Sequence, residues 1–172
     1  HFRTPLVVMT PKSLLRYKEA TSTLEDLTDG KFNTVLLDDV TRDKAGVTRI
    51  VFCSGKVYYD LLKKLREEAL NHIAIVRIEQ LYPFPEKDLH NIISQHPNVD
   101  TVVWCQEEPM NQVAWYSSQH HLRKVLHEAS PGLYLLYAGR EPSAAAAAGY
   151  MSLHIQQQDE LVYDAIFGKN AD

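Results

Sequence analysis

Four stretches of this chain are apolar at most positions over the length of a β-strand, with no polar alternation: Thr48 to Cys53, Ile73 to Ile78, Thr101 to Cys105 and Leu133 to Tyr137. Successive strand side chains point to opposite faces, so a strand with one wet face alternates apolar and polar residues. Runs without that alternation need cover on both faces. The segments between them supply the cover. Val57, Leu61, Leu62, Leu65 and Ala69 recur at helical spacing as far as Leu70. Leu89, Ile92 and Ile93 stripe a helix predicted from Glu86 to Gln95, and Ala114, Trp115, Leu122, Val125 and Leu126 stripe one from Asn111 to Glu128. Leu161, Val162, Ala165 and Ile166 face inward from a last helix, Asp159 to Phe167. Such alternation gives a mostly parallel sheet, and right-handed crossovers put helices on both of its faces. The expected fold class is α/β, a three-layer α/β/α sandwich.

The N-terminal part reads less regularly. Leu6 to Met9, between Pro5 and Pro11, is predicted to be a buried strand, and Lys12 to Arg16 a helical turn. Thr21 to Leu27 is predicted to be helical, with Ser22 and Glu25 in capping-box spacing. Phe32 to Leu37 is predicted to be a strand, and Arg42 to Gly46 a turn. Ala144 to Ala148, a low-complexity patch, falls in the loop before the last helix. The 172 residues are expected to form a single domain, 1–172, with a substantial core. The start at His1-Phe2-Arg3-Thr4-Pro5, running straight into an apolar segment, reads as a piece of a longer chain.

Composition narrows the function. Hydrophobic residues at 45% and charged residues at 23% exclude wholesale disorder. A net charge of −4 argues against a nucleic-acid partner; Lys63, Lys64 and Arg66 are followed directly by Glu67 and Glu68, a mixed solvated face. No apolar stretch reaches the roughly 20 residues needed to span a bilayer, and no leader segment is expected. Cys53 and Cys105 lie inside apolar runs and read as buried thiols of a reducing compartment.

Candidate chemistry collects where predicted strands end. Ser54-Gly55-Lys56 joins a strand to a helix, so unpaired amides and a cation suit an anion there; an N-cap serine, a turn glycine and a surface lysine suit the same pattern. Gly139-Arg140 would bring a guanidinium to the same edge if the strands are parallel. Glu107-Glu108-Pro109 offers paired carboxylates, which suit acid–base work or the start of a helix, and the second reading is favoured. Gln106, Asn111 and Gln112 add neutral hydrogen-bonding groups at the edge where open α/β sheets hold ligands. The eight histidines make no metal signature: His120 and His121 are consecutive, and no HExxH occurs.

Five ordered blocks carry a family resemblance: Pro5 to Arg16 (PLVVMTPKSLLR), Ser54 to Tyr59 (SGKVYY), Ile73 to Pro85 (IAIVRIEQLYPFP), Gln106 to Tyr116 (QEEPMNQVAWY), and Tyr137 to Arg140 with Gly149 to Ser152. Together they resemble the C-terminal domain of the thiamine-dependent, decarboxylating subunit of 2-oxoglutarate dehydrogenase. The GYMS ending is more similar to bacterial members than to actinobacterial ones. The resemblance implies a transketolase C-terminal-domain-like fold, with a five-stranded mixed sheet and one antiparallel minority strand. It implies a parent oxidoreductase of the citric acid cycle that decarboxylates 2-oxoglutarate with thiamine diphosphate and Mg²⁺ and succinylates a lipoyl group. The implied partners are other domains of the same chain, a homodimer partner and the lipoyl succinyltransferase complex. The implied location is the cytoplasm, or the mitochondrial matrix if the source is eukaryotic. The family's GDG cofactor motif is absent here, so no catalytic residue and no metal ligand is carried over, and the domain alone is expected to be inactive.

In actinobacterial relatives this domain resembles an acetyl-CoA effector site, whose matching positions here are Thr10, Lys56, Gln112 and Arg140. Two departures stand out. Glu25 and Asp26 occupy the region of a second arginine, and Val113 replaces the glycine usual in the NQGAW block. Beside the reading as a structural, dimerising and effector-binding domain stand two others: a free-standing module that binds an anionic nucleotide such as acetyl-CoA, and, ranked last, a small hydrolase using Glu107 or a cysteine.

Overall fold

All four apolar runs enter one sheet in the computed structural model, which describes residues 3–38 and 43–169. The strands are β1 (Val35–Leu37), β2 (Arg49–Cys53), β3 (Ile73–Ile78), β4 (Thr101–Pro109) and β5 (Leu135–Arg140), in the order β1-β3-β2-β4-β5. β1 runs antiparallel to β3, and the remaining pairings are parallel. This is the five-stranded mixed sheet that the resemblance implied. The chain divides into two compact units, His1–Phe32 and Asn33–Asp172, and the sheet belongs to the second.

Cover on both faces comes from four helices: α2 (Val57–Glu67), α3 (Glu86–Ser94), α4 (Ala114–Ala129) and α5 (Met151–Phe167). Alternate residues of each strand feed two separate cores. Ile50, Phe52, Val76 and Trp104 pack with Leu89 and Ile93 of α3 and Leu122 and Leu126 of α4. Their neighbours Val51, Cys53, Ile75 and Cys105 pack with Leu61 and Leu65 of α2 and Leu161 and Ala165 of α5. Each large side chain buried in this way stabilises the fold by about 1.5–3 kcal/mol.

Helix placement has a consequence for the site. The chain steps from β2 to β3 in one direction, then crosses back over β2 to β4 and on to β5. α2 therefore leaves β2 toward one face, while α4 leaves β4 toward the other. Where neighbouring strands send their helices to opposite faces, a crevice opens outside their carboxyl ends. Here that crevice lies between β2 and β4, and residues 54–56 and 106–109 frame it.

Several expectations are corrected. Leu6 to Met9 forms no strand, and its side chains are 69–91% exposed. The prolines at 5 and 11 have no N–H to donate, so a ladder could not extend past the run on either side. In the same unit, α1 (Leu24–Thr28) is capped by Thr23 and Asp26 rather than Ser22 and Glu25, because the reciprocal hydrogen bonds run between that pair. Phe32 is exposed, and the strand begins only at Val35. Lys44–Gly46 forms a single 3₁₀ turn with its amide at Ala45 capped by Asp43; Arg42 lies outside the described residues. α2 starts from Lys56 with no side-chain cap, so Ser54 is not its N-cap. Both strands at the site run longer than predicted: β4 continues from Cys105 to Pro109, and β5 takes in Gly139 and Arg140. α4 starts at Ala114 rather than Asn111, and α5 starts at Met151, two turns before Asp159.

Candidate functional site

Lys56 is the first charged side chain at the crevice, at the start of α2 beside the end of β2. Its Nζ lies 2.8 Å from Glu107 Oε2 on β4 and 3.2 Å from Asp60 Oδ2 one turn along α2. Gln158 of α5 reaches in from the same face of the sheet. Its Nε2 donates to Asp60 Oδ2 at 2.9 Å and to Glu107 Oε2 at 3.1 Å, so one amide bridges both carboxylates. Gln158 Oε1 accepts from the Arg140 guanidinium at 3.1 Å, and the same Arg140 nitrogen lies 2.9 Å from His154 Nδ1. An arginine has only donors, so His154 Nδ1 acts as the acceptor there.

The electrostatics follow from this geometry. Burial acts to lower the Lys56 pKa, but the Glu107 hydrogen bond and the charges of Glu107 and Asp60 more than offset it. The ammonium is held above its ordinary value and stays charged. Burial raises the Glu108 carboxyl above its usual range, with the Glu107 charge adding to the effect. Arg140 is 9% exposed, and its Nε has no hydrogen-bond partner among the described residues. Arg140 also borders a groove of about 470 Å³ between β5, α5 and the alanine-rich loop, where Ser143, Ala145, Leu153 and Glu160 line the walls.

Of the four expected effector positions, the structure joins two. Lys56 and Arg140 are linked through Gln158. Gln112 is tied elsewhere, its side chain donating to the carbonyls of Ser143 and Ala145 and so anchoring the alanine-rich loop beside Asn111. Thr10 lies in the first unit and is exposed. Sequence reading missed Asp60, His154 and Gln158. The last two sit one helical turn apart, a spacing that would have stood out had α5 been started at Met151.

Glu107 and Glu108, expected between a strand and a helix and near the helix start, are strand residues, because pairing with β5 resumes beyond an irregularity at Gln106/Pro109. Glu107 is held by Lys56 and Gln158, which leaves no free carboxylate pair for acid–base work. Cys53 and Cys105 are register partners on adjacent strands, both reduced and fully buried. Burial pushes both thiols well above their ordinary range, the opposite of what a nucleophile needs. Ellman's reagent should therefore titrate neither thiol in the folded chain and both of these two after denaturation; rapid reaction in the folded state would show that they are accessible.

Nothing at this edge fits thiamine diphosphate with its magnesium. Asp60 and Glu107 are already engaged, and among the described residues no group of three or more His, Cys, Asp or Glu side chains is placed to hold a metal ion. No described helix is long and apolar enough to cross a membrane.

Comparison with known proteins bears on the fold and the family. Over 81% of its length the chain superposes on a split-gene transketolase, described as an inactive β4 tetramer, with a TM-score of 0.55. It covers 43% of that chain at 14% identity, a likeness of fold. It is 58% identical over 163 residues to the 2-oxoglutarate dehydrogenase E1 component of Azotobacter vinelandii, a match that takes in 95% of this chain. The E1 components of Haemophilus influenzae and Coxiella burnetii are 49% and 48% identical over 95% and 96% of it. The chain spans only 17–18% of the length of these relatives. Residues 21–166 match the family described as 2-oxoglutarate dehydrogenase C-terminal, which takes in the whole sheet, Lys56, Glu107, Arg140 and Gln158. This chain belongs to the 2-oxoglutarate dehydrogenase C-terminal family.

Proposed function

We propose that the chain serves as the C-terminal structural domain of a 2-oxoglutarate dehydrogenase E1 polypeptide, and that the edge carrying Lys56 and Arg140 binds an anionic effector. The observation that carries the first part is the 58% identity to the Azotobacter vinelandii E1 component, sustained over 95% of this chain. On this reading the parent removes CO₂ from 2-oxoglutarate and passes a succinyl group to a lipoyl group. That chemistry belongs to thiamine diphosphate and Mg²⁺, held by other domains. The domain's partners are those other domains, a second copy of the polypeptide and the lipoyl succinyltransferase. Its exposed apolar side chains support an interface role: Leu6 to Met9 in the first unit, and Tyr150, Met151 and Ile155 in the second.

The effector reading rests on position. The crevice between β2 and β4 is where open α/β sheets take ligands, and two cations stand beside it. Acetyl-CoA, which the family resemblance suggests, carries phosphates suited to an ammonium and a guanidinium.

A chimaera tests the main reading. With this chain in place of the matching segment of the Azotobacter vinelandii E1 component, reduction of ferricyanide dependent on 2-oxoglutarate should stay within the same order of magnitude. A soluble, folded chimaera without turnover would overturn the assignment. The chain alone, given 2-oxoglutarate, thiamine diphosphate and Mg²⁺, should release no CO₂ above a buffer blank.

A further inference from the structure

The crevice at the switch point is not open to an incoming anion, because the chain fills it with a carboxylate of its own. Lys56, at the start of α2 beside the end of β2, is held at 2.8 Å by Glu107 and at 3.2 Å by Asp60. The Lys56 and Glu107 side chains are 23% and 22% exposed, so the pair is largely screened from water. Gln158 donates to both carboxylates and turns its carbonyl oxygen to Arg140, which fixes the arrangement from a third element. Among the described residues, the buried Arg140 Nε has no hydrogen-bond partner. The guanidinium is bonded to Gln158 and His154 and to no carboxylate among the described residues.

We propose that Glu107 is a tethered counter-anion that closes the crevice, so that an anionic ligand reaches Lys56 only by displacing the Glu107 carboxylate. Displacement is local. Glu107 lies on the last residues of β4, beyond Gln106, where pairing with β5 is irregular. The Glu107 side chain can turn away from Lys56 while the backbone of β4, held by Gln106 and by the pairing of Pro109 with Arg140, stays in place. Once Glu107 leaves, Gln158 loses one acceptor and Lys56 gains a free donor direction. The ligand's charge then takes the place of the carboxylate's. Ligand binding and the Lys56–Glu107 pair are thus mutually exclusive, and the affinity for an anion is lowered by the free energy of breaking that pair. Asp60 competes in the same sense but more weakly, being 40% exposed and farther away.

This inference rests on the effector-binding part of the reading above, and its failure leaves the assignment to an E1 polypeptide untouched, because the chimaera tests that separately. The probe is inorganic pyrophosphate, titrated calorimetrically into the 172-residue chain at fixed ionic strength. Glu107→Gln keeps the side-chain volume and an oxygen to accept from Lys56 and Gln158 while removing the charge. It should bind pyrophosphate about tenfold more tightly than the unaltered chain, the effect of roughly one partly screened ion pair. Asp60→Asn should give a smaller gain in the same direction. Adding Lys56→Ala to Glu107→Gln should abolish the gain. Equal affinity in the unaltered chain and in a folded Glu107→Gln variant, or no binding in either at millimolar pyrophosphate, overturns the proposal. So does a gain that survives Lys56→Ala, since another cation would then hold the ligand. If Glu107→Gln does not fold, as read from its circular dichroism, Asp60→Asn decides: no gain in that variant overturns the proposal.

Discussion

Replacing Gln106 by leucine should lower the unfolding free energy by about 3–5 kcal/mol, an effect on the scale of losing a buried hydrogen-bond network. The side chain is 3% exposed and makes five hydrogen bonds. Its Nε2 donates to the carbonyls of Glu108, Pro109 and Gln112, and its Oε1 accepts from the Trp104 indole and the Trp115 amide. The Glu108 and Pro109 carbonyls lie where the register of β4 with β5 breaks, and the Trp115 amide is in the unpaired first turn of α4. Leucine has a similar volume but no polar atom, so it would strand the buried Trp104 indole and Trp115 amide donors and remove a donor from the carbonyls of Glu108 and Gln112, while Pro109 keeps the Gln112 amide. The check is a urea titration of the variant, with the midpoint falling and the slope unchanged. A loss below about 1 kcal/mol would mean that water or a rearranged loop serves these groups just as well.

Val113→Gly should have the opposite sign and stabilise the chain by about 1 kcal/mol. Val113 is the N-cap of α4 with φ 55° and ψ −128°, a conformation that glycine adopts freely and a β-branched residue resists. Strain of this kind costs about 1–3 kcal/mol, while glycine's greater freedom in the unfolded chain returns part of the gain. Little is lost in packing, since Val113 is 61% exposed. The usual glycine of the NQGAW block is thereby explained as a backbone requirement at the start of a helix. Val113→Ala should recover less, because any Cβ meets the same conflict. A destabilised glycine variant, measured by thermal unfolding, would show that the turn carries no such strain.

Some of the site was legible before the fold was known. Lys56 and Arg140 were expected at one edge, because parallel strands end on the same side, and both are found there. Glu107 was read as structural, and its engagement by Lys56 and Gln158 agrees with that. Gln112 was expected at the same sheet edge, and its hydrogen bonds there go to the loop at Ser143 and Ala145. The end of β4 was less legible. Glu107, Glu108 and Pro109 have poor strand propensity, and a buried glutamine together with the pairing of Pro109 with Arg140 keeps them in the sheet. Leu6 to Met9 failed for the converse reason: an apolar run satisfies the pattern of a strand whether or not a neighbouring strand exists to pair with it.

By itself the sequence determined the alternation of strands and helices, the need for cover on both faces and the residues of the two cores. Those properties are written in local periodicity, which any window of ten to twenty residues displays. Tertiary structure alone decided which strand lies between which, and with that the crevice between β2 and β4, the side-by-side placement of Cys53 and Cys105, and the bridge from Lys56 to Arg140. Gln158 meets Glu107 from 51 positions away and Asp60 from 98. Pairings of polar side chains over such separations leave no repeating signal in the chain, because they exist only after crossovers have brought distant strand ends to one edge.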